Sequence, residues 1–296
     1  MAANTRDIRR RIKSVKNTSQ ITKAMQMVAA AKMRKAQLAA LAGRPYADLL
    51  NRVLQSVAAR SEENTHELLR VRDVKKELVV VISTDKGLCG ALNTNLLREV
   101  AKFDPARTIF IALGRKGMQY LSRAARTVLA EFELKESFGF IDSKAISRFA
   151  MEKFLNGEVD RVTVVFTDFV NTLTQVPRAK VILPISSLKV TAEVFGDSEK
   201  HIEIAPGEAQ TEYLFEPASG DVLGAVLPHH VHFQVYQMVL DARASEHSAR
   251  MVAMKNATDN AKQLIKDLTL EYNKIRQASI TTELLEITTA QMALGK

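Results

Sequence analysis

The sequence predicts an α/β fold in which a long antiparallel coiled coil of N- and C-terminal helices carries an inserted Rossmann-like α/β domain. Three observations predict it. The 66 residues between Pro228 and Gly295 contain neither Pro nor Gly, residues 1 to 42 contain neither, and the stretch between alternates short aliphatic runs with helical patterns. Pro and Gly are the residues least tolerated inside a helix, so their absence over such lengths marks two helices. At a rise of 1.5 Å per residue the C-terminal helix would be about 100 Å long, more than a domain of this size is wide. It must leave the globular body and find a partner.

The N-terminal segment is the only other one long enough to be that partner. Ile8, Ile12 and Val15 begin an apolar stripe that is expected to continue through Ile21, Met25 and Val28 into the alanine-rich run around QLAALAG. Small side chains there let two helix axes approach closely. Gly43-Arg44-Pro45 reads as a kink, because Tyr46, Leu50, Val53 and Val57 resume the helical spacing. The polar cluster SEENT at 61 to 65 is the expected stop, and a charged connection follows to about Lys76. These boundaries divide the chain into an N-terminal helix at 1–60, an inserted domain at 77–217 and a C-terminal helix at 219–296.

Within the inserted domain, strands are expected at 78–82, 108–113, 127–134, 160–167 and 178–185. Helices are expected at 91–102, from Gly114-Arg-Lys-Gly onward, and at 143–155. Alternation of this kind implies a mostly parallel sheet covered by helices. In the C-terminal helix, Met251, Met254, Thr258, Ala261, Ile265, Leu268, Tyr272 and Ile275 recur three and four apart, which is the a/d seam of a left-handed coiled coil. Beyond it, residues 278 to 296 carry more apolar surface than one partner helix can cover.

The net charge of +9 is concentrated. Residues 1 to 35 hold ten Lys/Arg against Asp7 alone, while the rest of the chain balances. A run of that kind points to an acidic surface or a phosphate backbone as partner. Trp is absent and aromatic residues make up 6%, which leaves little for stacking on nucleic-acid bases. The longest aliphatic run, Leu78 to Ile82, is far short of a membrane span, and no apolar core follows the basic N-terminus as it would in a signal peptide. A cytoplasmic chain is expected, and the single cysteine, Cys89, fits a reducing compartment.

Residue sets for catalysis do not emerge. DKGLCG at 85–90 sits after the first strand and before a helix, but it is neither GxGxxG nor GxxxxGK[ST] and reads as a tight turn. His229-His230-x-His232 is the one histidine cluster, and it has no second cysteine or adjacent carboxylate to complete a metal site. Neither cofactor nor metal is expected.

Several segments carry a resemblance that spacing alone does not supply. RRIKSVKNTSQITKAMQMVAAAKMRKAQ at 10–37, STDKGLCGALNTNL at 83–96, YLFEP at 213–217, SEHSARMVAMKNATDNAKQLIKDLTLEYNKIRQASIT at 245–281 and TELLEI at 282–287 resemble the gamma subunit of F-type ATP synthase, of the bacterial type. The sequence departs from the family after ITTELLEI, where Ala290-Gln291 stands in place of the more usual Gly-Ala. The resemblance implies a non-catalytic rotor shaft, one copy per complex. It would couple proton-driven rotation of the c ring to ATP synthesis or hydrolysis at active sites on the beta subunits. The implied partners are the alpha, beta, epsilon and c-ring subunits, at the cytoplasmic face of the bacterial inner membrane, with membrane contact only through the c ring. By the same resemblance, Lys23, Met25 and Arg34 lie near acidic lever loops of beta, and Arg276 and Gln277 meet a second loop. Tyr213, Phe215 and Glu216 would form the foot on the c ring. The competing readings are a basic coiled-coil protein bound to nucleic acid and an α/β enzyme with a dimerising coil.

Overall fold

The computed structural model describes residues 2–43, 45, 46, 49, 50, 53, 66–135, 138–185 and 219–295. It divides into two compact units, one formed by Met1–Ala29 with Arg250–Lys296 and the other by Ala30–Ala249. The elements in chain order are α1 (Ala2–Ala42), a 3-10 turn (Glu67–Leu69), β1 (Glu77–Ile82), α2 (Leu92–Ala101), β2 (Thr108–Leu113) and α3 (Arg115–Arg123). They continue with β3 (Val128–Phe132), α4 (Phe140–Leu155), β4 (Arg161–Phe169), β5 (Gln175–Leu183) and α5 (Ser219–Leu294). No helix among the described residues is long and apolar enough to cross a membrane.

The second unit is built on a five-stranded sheet of order β3-β2-β1-β4-β5. Its first four strands are parallel, and β5 returns antiparallel to β4 through a hairpin. β1 lies at the centre and is apolar at every position after Glu77, as a strand covered on both faces must be. Its alternate side chains feed two cores. Leu78, Val80 and Ile82 pack with Ile146, Ala150 and Phe154 of α4 and with Val231, Val235 and Val239 of α5. Val79 and Val81 pack with Leu96 and Val100 of α2 and Leu121 of α3. Each such fully buried aliphatic side chain contributes about 1.5–3 kcal/mol, so α5 is held to the body mainly by its own apolar stripe. That stripe also carries the helix through Pro228, where Leu227 and Val231 are fully buried on either side.

The expected kink at Gly43-Arg44-Pro45 is a break: α1 ends at Ala42, the Gly43 amide closes a turn on the Ala40 carbonyl at 3.2 Å, and Pro45 and Tyr46 are helical again. The SEENT stop lies outside the described residues.

DKGLCG is a turn whose polar groups are used internally. Leu88 and Gly90 adopt positive φ angles of 62° and 61°. The Thr84 hydroxyl donates to the Lys86 carbonyl at 2.8 Å. The first amides of α3 are likewise taken up, Arg115 by the Asp85 carboxylate at 3.0 Å, Lys116 by the Thr84 carbonyl at 3.0 Å and Gly117 by the Ser83 hydroxyl at 2.7 Å. These amides open the helix after β2, and they tie it to the end of β1 and the turn that follows.

The three clustered histidines are packing residues. His229 stacks edge-on against Tyr46 and tilts toward Phe140. His232 is buried, with Nδ1 2.6 Å from the Ser147 hydroxyl. His230 is buried, and among the described residues neither ring nitrogen has a hydrogen-bond partner. Burial lowers both His230 and His232 from the ordinary 6.5 to about 4, helped by Lys180 near His230 and by Lys144, His229 and Arg148 near His232. Unfolding raises these pKa values, so the unfolded chain binds more protons between them. Stability is therefore complete above pH 6.5 and falls as pH drops toward 4, by up to about 3 kcal/mol for the more deeply buried His230 and by less for His232. Urea unfolding at pH 7 and pH 4.5 checks this. His230→Leu is expected to flatten the pH slope without loss of stability at pH 7, because no hydrogen bond is given up.

Candidate functional site

The first unit pairs the start of α1 with the end of α5. Along α5, Met254, Thr258, Ala261 and Leu268 are buried, and Met251, Ile265, Tyr272 and Ile275 are half-buried. Ser279 and Thr282 continue the three/four spacing as half-buried positions, after which every described side chain is exposed. Along α1 the covered positions are Thr5, Ile8, Ile12, Val15, Ser19, Thr22, Gln26 and Ala29. They too recur three and four apart.

This corrects the stripe expected from hydrophobicity. Ile21 and Val28 project outward, 60% and 55% exposed, and Met25 is half-buried at the margin. The covered face runs instead through small and polar residues, because the two helices are close enough there for a direct side-chain bond. The Thr22 and Thr258 hydroxyl oxygens lie 2.7 Å apart in a buried site. Each hydroxyl also reaches a carbonyl of its own helix, Thr22 that of Ser19 at 3.1 Å and Thr258 that of Met254 at 2.8 Å, so either threonine can supply the proton that the pair shares. A strict count from Ile8, Ile12 and Val15 finds these positions, whereas the pull of Ile21 hides them.

That contact fixes the antiparallel layers. Stepping in opposite directions from it sets Ser19 against Ala261, Val15 against Ile265, Ile12 against Leu268 and Ile8 against Tyr272. Two thin layers thus sit above a bulky aliphatic stack. Thr5, the first described side chain of α1, falls level with Ile275, so among the described residues no side chain of α1 faces the last turns of α5. Leu284, Leu285, Ile287 and Met292 are correspondingly 58–79% exposed.

Among the residues marked for partner contact, Lys23 and Arg34 on α1 and Arg276 and Gln277 on α5 are exposed. Arg6, Arg9, Arg10, Arg11, Lys13 and Lys16 are exposed as well, with Arg10 paired to Asp7 at 2.5 Å. Basic side chains therefore flank the outward Ile21, Met27 and Val28, a mixed surface suited to acidic and apolar partner groups together. Tyr213, Phe215 and Glu216 lie outside the described residues.

The chain therefore belongs to the class of proteins that combine a two-helix coil with a doubly wound α/β body inserted between its helices in sequence. A family model described as ATP synthase matches residues 4–294. The chain is 49% identical to the ATP synthase gamma chain of Methylacidiphilum infernorum, over 99% of this chain and 100% of that one. It is 48% identical to that of Opitutus terrae over 98% of this chain and 99% of that one. Among solved structures it resembles a chain of the central stalk and c-ring of Tetrahymena thermophila mitochondrial ATP synthase, with a TM-score of 0.61 and 26% identity over 80% of this chain and 99% of that one. A chain of the Euglena gracilis mitochondrial enzyme shares the fold, with a TM-score of 0.68 over 99% of this chain and 95% of that one. The chain belongs to the ATP synthase gamma chain family.

Proposed function

We propose that this protein is the central rotor shaft of an F-type ATP synthase, coupling rotation of a c ring to ATP synthesis or hydrolysis. The observation that carries this reading is that the family match runs from residue 4 to residue 294, across both helices and the body alike. Its partners are the alpha and beta subunits around the helical pair, with epsilon and the c ring at the body. One copy serves each complex. The active sites are on beta, and this chain contributes shape and charge in place of catalytic groups. Its place is the cytoplasmic face of the bacterial inner membrane, where it touches the membrane only through the c ring. Lys23, Met25, Arg34, Arg276 and Gln277 would meet loops of the ring, and Tyr213, Phe215 and Glu216 would meet the c subunits.

Co-expression with the alpha and beta subunits tests the reading. One copy of this chain per ring and ATP hydrolysis by the purified complex are expected. Salt-dependent retention on DNA without co-purification would favour the nucleic-acid reading instead.

Met25 gives a sharper test of the contact surface. A cation there would add a charge-assisted bond to a passing carboxylate, worth about 1.5–3 kcal/mol, and would hold one rotary angle too long. Met25→Lys is expected to lower the ratio of ATP synthesis to ATP hydrolysis while assembly stays normal. Met25→Leu should leave both unchanged. Equal losses of assembled complex and activity in the lysine variant would make the residue merely structural.

A further inference from the structure

In doubly wound folds the carboxyl ends of the parallel strands usually hold a ligand. In this body the carboxyl end of β4 is occupied by α5 itself. The Ser245 hydroxyl donates to the Thr167 carbonyl at 3.0 Å, and the Ser248 hydroxyl donates to the Thr172 carbonyl in the β4–β5 hairpin at 2.7 Å. Both serines are fully buried. They lie three residues apart and so share one helix face. Gln175 reinforces the second point, reaching the Thr172 carbonyl with Nε2 at 3.0 Å. Two residues before Ser245 on α5, Arg243 donates to the Lys135 carbonyl after β3 and lies over the Phe138 ring.

Apolar packing and hydrogen bonds do different work here. The valines of α5 supply most of the attraction, but dispersion contacts are non-directional and allow a helix to roll in its groove. Hydrogen bonds to fixed backbone carbonyls weaken steeply with angle and so oppose rolling. We propose that Arg243, Ser245 and Ser248 form the joint that makes the body and α5 turn as one piece. The joint itself is a property of the isolated chain, and its role in torque rests on the rotor reading.

Ser245→Ala/Ser248→Ala in the full chain, with Ser248→Ala alone as the milder variant, tests it by hydrogen exchange. Amides of residues 168–174 and 241–249 are expected to exchange about tenfold faster, the factor that one net hydrogen bond supplies, with 258–275 unchanged. In the assembled complex the double variant is expected to pump fewer protons per ATP hydrolysed, with hydrolysis itself retained. Thr269→Ala is the control, since among the described residues that exposed hydroxyl bonds just the Ile265 carbonyl of its own helix. Unchanged exchange at 168–174, faster exchange with an unaltered pumping ratio, or equal losses of assembly and both activities would each overturn the joint. Failure of the wild-type chain to join alpha and beta would sink the rotor reading, and the exchange result would still decide the joint.

Discussion

Gly114→Ala is expected to destabilise the α/β body severely and to lower its melting temperature by well over ten degrees. Gly114 ends β2 and opens α3 with φ 87° and ψ 145°, a region that side-chain-bearing residues occupy at a cost of about 1–3 kcal/mol. An added Cβ would also stand 2.4 Å from the Ser83 carbonyl oxygen, an immobile backbone atom at the end of the central strand. Relieving that clash separates β1 from α3 and adds about 1–3 kcal/mol more. The combined loss of about 2–6 kcal/mol is a large part of the whole stability of a typical domain. Circular dichroism on heating should show the loss directly. Gly87→Ala, in the neighbouring turn with nothing within 4 Å of the new atom, should melt as the parent does.

Leu268→Ala is expected to cost about 2–5 kcal/mol and to reduce coupled ATP synthesis. Leu268 is buried in the bulky part of the helical pair, on the layer of Ile12. Leu270, two positions further on, is 70% exposed, and its change to alanine should cost under about 0.5 kcal/mol. Equal effects from the two variants would mean that the seam has been assigned to the wrong face. Thermal unfolding of the isolated chain separates the outcomes.

How legible each part was in the sequence follows from the physics that placed it. β2 occupies 108–113 as the aliphatic run requires, and the buried face of α5 follows the three/four spacing because large apolar residues mark it. α4 begins at Phe140, three residues before the expected start, because the Asp142 carboxylate accepts the Gly139 amide at 2.8 Å and closes the first turn. β5 begins at Gln175 and not 178. The Asn171 side chain accepts the Leu173 and Thr174 amides and tightens the hairpin, and Pro177 is tolerated because β5 is the last strand of the described sheet. On α1 the covered face was hidden, since Ser19, Thr22 and Ala29 carry little hydrophobic signal. The hydroxyl joint on α5 leaves no trace in spacing, because its acceptors are backbone carbonyls that any sequence supplies.

The most direct test of the central claim fixes the beta subunits of the reconstituted complex to a surface, attaches a probe to the α/β body of this chain, and records its angle during ATP hydrolysis. Continuous one-way rotation with three stops per turn, one for each beta subunit, is the result the rotor account predicts. ATP hydrolysis at the normal rate with the probe stationary would contradict it.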